Sequence, residues 1–215
     1  MEILQQAWDY ASDPSNDFWK SLLIHLELSG SALAIAIVIG VSLGIVISRY
    51  GAFARLVVNF VGVMRVIPSI AVLFILLPLL HTGLKPSIAA LSLLAIPPLL
   101  INTDAGMRGV DKAVIEAGRG LGMSSWRLLW KVQMPLALPV VLAGLRIATV
   151  EVVASATLAT LIGGGGLGDF IAIGLSQLRN EVLLVGAIPV ALLAIISEVG
   201  LSYLQRRIVA QTHTR

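Results

Sequence analysis

Long apolar runs dominate the chain, and short polar segments rich in proline and glycine separate them. Residues 28–48 carry no charge over 21 positions, and as an α-helix rising about 1.5 Å per residue they can cross a hydrocarbon layer of about 30 Å. Gly40 and Gly44 in this run are small enough to let a neighbouring helix approach closely. The apolar runs together predict five membrane-spanning helices, at residues 28–48, 56–80, 87–103, 136–162 and 182–203.

Two runs contain polar or helix-breaking residues that point to a solute pathway. Pro68 should kink or restart the helix of the second run, so Arg65, Pro68 and Ser69 are candidates for a gate or pathway wall. Arg146 and Glu151 lie inside the fourth run, where burying a charge is costly. Their spacing separates them by about 140° around a helix, so a partner on another span is more plausible than a direct pair. Simple kinking and stabilisation between spans are the alternative roles.

The composition excludes several classes of function. Hydrophobic residues make up 57% of the 215 positions and charged residues 13%, with a mean hydropathy of +0.94, which is more apolar surface than a small soluble core can hide. The chain has no cysteine, so disulfides and thiol catalysis are excluded. His25, His81 and His213 have no metal-ligand spacing, and we expect His25 and Glu27 to be solvated at the membrane surface. No metal site and no nucleic-acid-binding surface is predicted.

One polar segment, residues 108–135, stands between the apolar runs and contains five basic residues. We call it the polar island. Asp111 is a start signal for a short helix, the glycines at positions 118, 120 and 122 end that helix, and a serine can cap a second one. In the second helix, Trp126, Leu129 and Trp130 share one face. We expect this face to lie on lipid headgroups.

The distribution of basic residues predicts the orientation of the chain. With the N-terminus outside, the inner segments hold ten basic residues and the outer segments three, in agreement with the positive-inside rule. The polar island is then cytoplasmic. Residues 1–20 lack the features of a signal peptide and are expected to remain attached, either as an amphipathic interfacial piece or as a loosely ordered tail. The inner residues are Arg49, Arg55, the five of the island, Arg206, Arg207 and Arg215, and the outer ones are Lys20, Lys85 and Arg179.

A glycine-rich segment follows the fourth run and imitates a nucleotide-binding motif. Gly163, Gly165 and Gly168 have the spacing of a dinucleotide-binding loop, but such a loop follows a β-strand, and a membrane span precedes it here. We therefore interpret the segment as a flexible outer loop that permits close helix packing or gating. No P-loop motif occurs in the sequence, so energy from ATP must come through another subunit. The loop glycines are Gly163, Gly164, Gly165, Gly166 and Gly168.

The same segment also suggests a protease. Gly166, Gly168 and Asp169 match the G-x-G-D motif of intramembrane aspartyl proteases, with Asp104 as a possible second carboxylate. That chemistry needs both carboxylates within reach of one water. The predicted topology puts Asp104 at the cytoplasmic end of its span and Asp169 beyond the outer end of another, so this enzyme is a remote alternative and no catalytic residue is assigned.

The polar island resembles the signature of ABC importer permeases, which reads E-A-A, three residues, G, nine residues, I-x-L-P. The chain departs from that signature at its second alanine, where Gly118 replaces one small residue by another. The resemblance covers roughly residues 20–206. Flanking stretches, at Ile67 to Ser69, at Ala156 to Leu158 and at Ile162 to Gly168, are most similar to permeases for glycine betaine, choline and related osmoprotectants. The matching residues of the island are Glu116, Ala117, Gly122, Val132, Met134 and Pro135.

The resemblance implies an all-α type I permease fold of about five transmembrane helices, in a bacterial inner membrane. Residues 1–20 are then an outer segment, 21–206 the transmembrane domain with its coupling loop at 108–135, and 207–215 a cytoplasmic tail. The implied partners are cytoplasmic ATPase subunits, a second permease subunit, identical or homologous, and an external binding protein. The chain itself binds no cofactor, because ATP is held by the ATPase. The residues implied in ATPase coupling are Val114, Ile115, Glu116, Ala117, Gly118, Arg119, Gly122 and Pro135, with the apolar ones entering a cleft of the ATPase.

A different class of function is a secondary transporter or channel that works alone. Five spans and intramembrane charges fit it, but it leaves the large polar island without a role. The two classes differ in whether uptake needs an ATPase.

Overall fold

The structure is a computed structural model that describes residues 2–212, with side chains described except at positions 80 and 210–212. Over this range the chain is helical and contains no strand, which confirms the all-α class. A 3-10 turn follows α1, a π-helical turn precedes α8 and a 3-10 turn follows it. The helices are α1 (Glu2–Ser12), α2 (Phe18–Ile47), α3 (Gly51–Met64), α4 (Ser69–Leu80), α5 (Leu84–Arg108), α6 (Lys112–Gly120), α7 (Ser125–Leu128), α8 (Met134–Ser155), α9 (Gly168–Gln177) and α10 (Asn180–Thr212).

Four helical stretches of the described range are long and apolar enough to cross a membrane, and the broken pair of α3 and α4 can serve as a fifth span. The predicted number of spans is therefore confirmed. The break falls where it was expected, because Pro68 is the residue that precedes the first turn of α4 and its ring cannot continue α3. The four continuous stretches are Pro14–Ile47, Leu84–Arg108, Ser125–Ile162 and Asn180–Val209.

The last helix extends further than its apolar run. Residues 207–212, the first part of the predicted tail, continue α10. His213 and Arg215, which enter the histidine interpretation and the charge count, lie outside the described residues.

The chain divides into two compact units, and the long helices contribute residues to both. The first unit comprises the described parts of Met1–Ile35, Ile67–Ala95 and Thr149–Ser197. The second comprises Ala36–Val66, Ile96–Ala148 and the described part of Glu198–Arg215.

The first unit has a core in which the N-terminal helix takes part. Phe170 of α9 is buried, and its ring centroid lies 6.3 Å from that of Tyr10 and 6.2 Å from that of Phe18. The guanidinium of Arg179 lies 5.2 Å from the Tyr10 ring centroid. Of the two possibilities for residues 1–20, the structure thus supports a packed amphipathic helix, with Ala7 buried and Trp8 73% exposed.

His25 corrects an expectation about the membrane surface. We expected a solvated side chain, but His25 is fully buried and its Nε2 lies 3.1 Å from the backbone oxygen of Val153. The reason is that α2 begins at Phe18, well before the charge-free run starts, so that His25 lies within a packed helix. Glu27, by contrast, is exposed.

The second unit depends on close helix contacts at glycine. A Cβ added to Gly40 would lie 2.9 Å from the Cβ of Leu99, and one added to Gly44 would lie 2.6 Å from the Cβ of Thr103. These distances are too short for any larger residue, so the expectation that small residues let helices approach is confirmed for α2 and α5.

Candidate functional site

The polar island forms two short helices joined by a tight turn. Asp111 caps α6 by accepting a hydrogen bond of 2.8 Å from the backbone N–H of Ala113. At the other end, the N–H of Gly122 donates to the Arg119 oxygen (2.9 Å) and that of Met123 to the Gly118 oxygen (3.1 Å). This pair of bonds is a Schellman motif, which needs a left-handed residue, and Gly122 has φ of +76°. The helix-turn-helix prediction is therefore confirmed.

The two faces of α6 have different surroundings. Ile115 packs against the core formed by Met107, Val110 and Leu129. Ile115 is half-buried, and its entry into a cleft of the partner together with Val114 and Ala117 stays a prediction.

The outward face of α6 remains available for a partner. Val114 is 42% exposed, and Glu116, Ala117 and Arg119 are exposed as well. Leu121, which no motif singles out, is 83% exposed at the end of α6. The sequence signal that could have identified it is an apolar residue between two glycines in a polar segment. These residues form one surface, which we call the α6 face.

The packing around Gly118 explains why this position of the signature holds glycine and not alanine. It is buried, and a Cβ at this position would lie 2.6 Å from Cδ1 of Leu128. Glycine therefore lets Leu128 cover α6 closely. Alanine here would require Leu128 to move.

The second helix of the island differs from the predicted pattern. Ser124 caps α7, and its Oγ accepts from the Arg127 N–H at 3.4 Å. Leu129 is buried in the core, whereas Trp126 and Trp130 are 70% and 48% exposed, with ring centroids 5.5 Å apart. The prediction that these three residues share one exposed face is therefore wrong for Leu129, because Leu129 packs into the core. Pro135, one residue into α8, is exposed.

Arg108 joins the start of the island to the end of α2. Its Nε donates to Asp104 Oδ1 at 2.8 Å, and its Nη2 donates to the backbone oxygens of Ile47 (3.2 Å) and Tyr50 (3.4 Å). Both oxygens also accept a backbone N–H, from Tyr50 and Ala54 respectively, so Arg108 adds a second donor at the turn between α2 and α3. Asp104, expected at the end of its span, lies one helical turn inside α5 and is buried.

Arg146 has its partners on another helix, as expected. Its guanidinium forms an ion pair with Glu198 and donates to Gln205 Oε1 at 2.9 Å, and Gln205 in turn donates to the Pro139 oxygen at 2.8 Å. The network connects α8 to α10. Glu151 lies half-buried on α8.

We predict that Arg146→Gln destabilises the chain more than the double variant Arg146→Gln with Glu198→Gln. The single change leaves the carboxylate of Glu198 without its cation in an apolar environment. Because both side chains are partly exposed, the difference should be about 2 kcal/mol, below the usual cost of breaking a fully buried pair. Thermal unfolding of the full chain in detergent measures it. Equal stability of the two variants would contradict a stabilising ion pair.

The other pathway candidates lie at the break between α3 and α4. Arg65 ends α3 and is exposed, Pro68 is exposed, and Ser69, the first residue of α4, is half-buried. Their role in a pathway stays a prediction.

The glycine segment is closely packed. A Cβ on Gly164 would lie 2.4 Å from Ser87 Oγ, one on Gly166 would lie 3.4 Å from the His25 backbone, and one on Gly168 would lie 2.1 Å from the Thr157 oxygen. Gly163 is exposed and Gly165 is half-buried. Close helix packing is thus observed, and the flexibility of the loop stays a prediction.

Neither the dinucleotide-binding motif nor the protease motif has the structural surroundings that its chemistry needs. The 3-10 turn Ala156–Ile162, not a strand, precedes the glycines. Asp169 accepts a hydrogen bond from Thr160, and Asp104 is paired with Arg108. Each carboxylate of the suggested protease pair is therefore engaged by a neighbour in its own unit.

Comparison with known proteins identifies the family. The family model described as binding-protein-dependent transport system inner membrane component matches residues 36–210. The carnitine transport permease protein OpuCB of Listeria monocytogenes is 45% identical over 184 residues, which cover 86% of this chain and 84% of the relative. The glycine betaine/carnitine/choline transport system permease protein OpuCB of Bacillus subtilis is 41% identical over 184 residues, covering 86% and 85%.

A solved structure agrees on the fold. A chain of the MetNI methionine ABC transporter in inward-facing conformations superimposes with a TM-score of 0.80 at 22% identity, covering 92% of this chain and 99% of that chain. The type I ABC importer permease fold is thereby confirmed. Together with the signature in the polar island and the apolar helices, these matches show that the chain belongs to the binding-protein-dependent transport system inner membrane components and is a multi-pass permease of the inner membrane.

Proposed function

We propose that this permease imports a quaternary-ammonium osmoprotectant, such as carnitine, choline or glycine betaine, with energy from ATP bound and hydrolysed by a separate ATPase subunit. The observation that carries the substrate class is the 45% and 41% identity to permeases named for these compounds. The likeness to the methionine transporter, at 22% identity, supports the fold and not the substrate.

The α6 face supports an ATPase-docking role. It combines exposed apolar residues, Val114, Ala117 and Leu121, with the charged residues Glu116 and Arg119. This combination suits a short helix that lies in a groove of a partner. The rigid cap and turn at its two ends hold α6 in a fixed orientation, so a force on α6 passes to the packed helices. The island is then cytoplasmic, as the charge distribution predicts.

The assembly follows from the family. We infer a second permease subunit, an external binding protein that delivers the solute, and ATPase subunits on the cytoplasmic side. A cation of this class is best held by aromatic faces. Tyr10 and Phe18 each pack on the buried ring of Phe170, so we assign the aromatic cage to the external binding protein. ATP-driven closure of the ATPase would move the permease between two states.

Transport by the reconstituted system tests the proposal. Vesicles containing this chain, its ATPase and its binding protein should take up carnitine, choline or glycine betaine only when ATP is supplied, and methionine should not compete. The control is the chain alone, which should show no uptake. Uptake by the chain alone would instead support the stand-alone transporter.

A further inference from the structure

Four basic side chains line one cavity beside α6. Its volume is about 500 Å³, within the range of about 300–1,000 Å³ that is usual for small-molecule sites. Ser125 and Gln133 add neutral polar groups, and among the described residues that line it none is acidic. The basic residues come from the ends of α2 and α5 and from α6, and are Arg49, Arg108, Lys112 and Arg119.

The charges of this cavity are not balanced within the described chain. Arg108 is paired with Asp104 at 2.8 Å. Where side chains are described, Arg49, Lys112 and Arg119 form no ion pair and no side-chain hydrogen bond. Three unpaired cations around one cavity repel one another, and the potential between them attracts an anion.

The donor groups fit the chemistry of phosphate. Arginine presents a planar fork of N–H donors that matches two phosphate oxygens, and lysine adds a point charge. Arg108 is held in place by its bonds to Asp104 and to the end of α2, so part of the site is already ordered. Met107 and Leu128, both buried, form an apolar wall that suits an organic group attached to the phosphate.

Two of the basic residues of the cavity lie at the ends of long apolar helices. Arg49 follows α2 closely, and Arg108 is the last residue of α5, and both helices belong to membrane-spanning stretches. Basic side chains at the ends of spans meet the phosphates of anionic lipids there.

We propose that this cavity binds a phosphate-bearing anion, supplied either by the headgroup of an anionic phospholipid or by a free phosphate compound. The cavity shares only Arg119 with the α6 face, the test variant below leaves that residue unchanged, and binding is measured on this chain alone. Its test therefore does not depend on the ATPase or on the transported solute.

Binding is measured on the full chain purified in an uncharged detergent. Dioctanoyl phosphatidylglycerol is titrated and followed by native mass spectrometry, with dioctanoylglycerol as the phosphate-free lipid control. Radiolabelled inorganic phosphate is titrated in equilibrium dialysis. The test variant is Arg49→Gln with Lys112→Gln, and the matched control is Arg55→Gln with Arg206→Gln, which removes the same charge at exposed positions outside the cavity.

We expect the test variant to raise the Kd for the phosphate ligand at least about tenfold, as expected for loss of two charge-assisted contacts, with the control unchanged. Binding of the phospholipid without inorganic phosphate identifies the headgroup as the source, and binding of inorganic phosphate identifies a free compound. Failure of the unmodified chain to bind either probe, or equal binding by both double variants, would overturn the site. The unpaired basic residues of the cavity would then be expected to bind acidic groups of a protein partner.

Discussion

Charge reversal at Glu116 is expected to lower ATP-driven uptake at least about tenfold, which corresponds to about 1.4 kcal/mol of coupling free energy, while the chain folds and inserts normally. Glu116 is exposed on the α6 face and forms no ion pair within residues 2–212. Glu116→Lys therefore removes nothing from the chain's own fold. It places a like charge beside Arg119 and opposes whatever cationic group of the ATPase meets the glutamate.

The measurement compares uptake with ATP hydrolysis in the same vesicles. Hydrolysis should persist while uptake falls, and Glu2→Lys, at an exposed residue of α1, is the matched control. A backbone variant gives the second arm. Gly122→Val places a β-branched residue at φ of +76°, which is strongly disfavoured, whereas the same change at Gly120, with open space and no positive φ, should be tolerated. Normal transport by both Glu116→Lys and Gly122→Val would refute the docking role of the α6 face.

Gly168→Ala is expected to destabilise the chain by about 3 kcal/mol or more, at the upper end of the cost of overpacking. The added Cβ would lie 2.1 Å from the backbone oxygen of Thr157. Backbone cannot move aside as a flexible side chain can, so α9 and the 3-10 turn before the loop must separate. Thr157 lies in that turn and Gly168 begins α9, and the first unit therefore loses a contact that its core depends on.

Thermal unfolding of the purified full chain, followed by circular dichroism in detergent, measures the effect as a lower midpoint and a smaller yield of folded protein. Gly30→Ala is the matched control, because nothing lies within 4 Å of its Cβ position and alanine favours a helix. An unchanged midpoint for Gly168→Ala would contradict close packing of the loop and would show that the loop is flexible enough to accommodate the added Cβ.

The local features of the site were accessible from the sequence. Asp111 as a helix cap and Gly122 at the left-handed turn depend on a few neighbouring residues, and the structure contains both. The direction of Ile115 was not accessible, because on a short helix both Val114 and Ile115 are apolar, and only the core around Met107 decides which one turns inward. The same reason applies to Leu129.

Sequence by itself determined the number of spans, the polar island and the family signature, because these follow from apolar length, helix capping and residues that are close in the chain. Tertiary structure decided the rest. Arg146 meets Glu198 across 52 residues, His25 lies beside Val153 across 128, and Arg49 joins Arg108 and Arg119 around one cavity. No periodicity relates residues so far apart, since their proximity arises only when packed helices exclude every other arrangement.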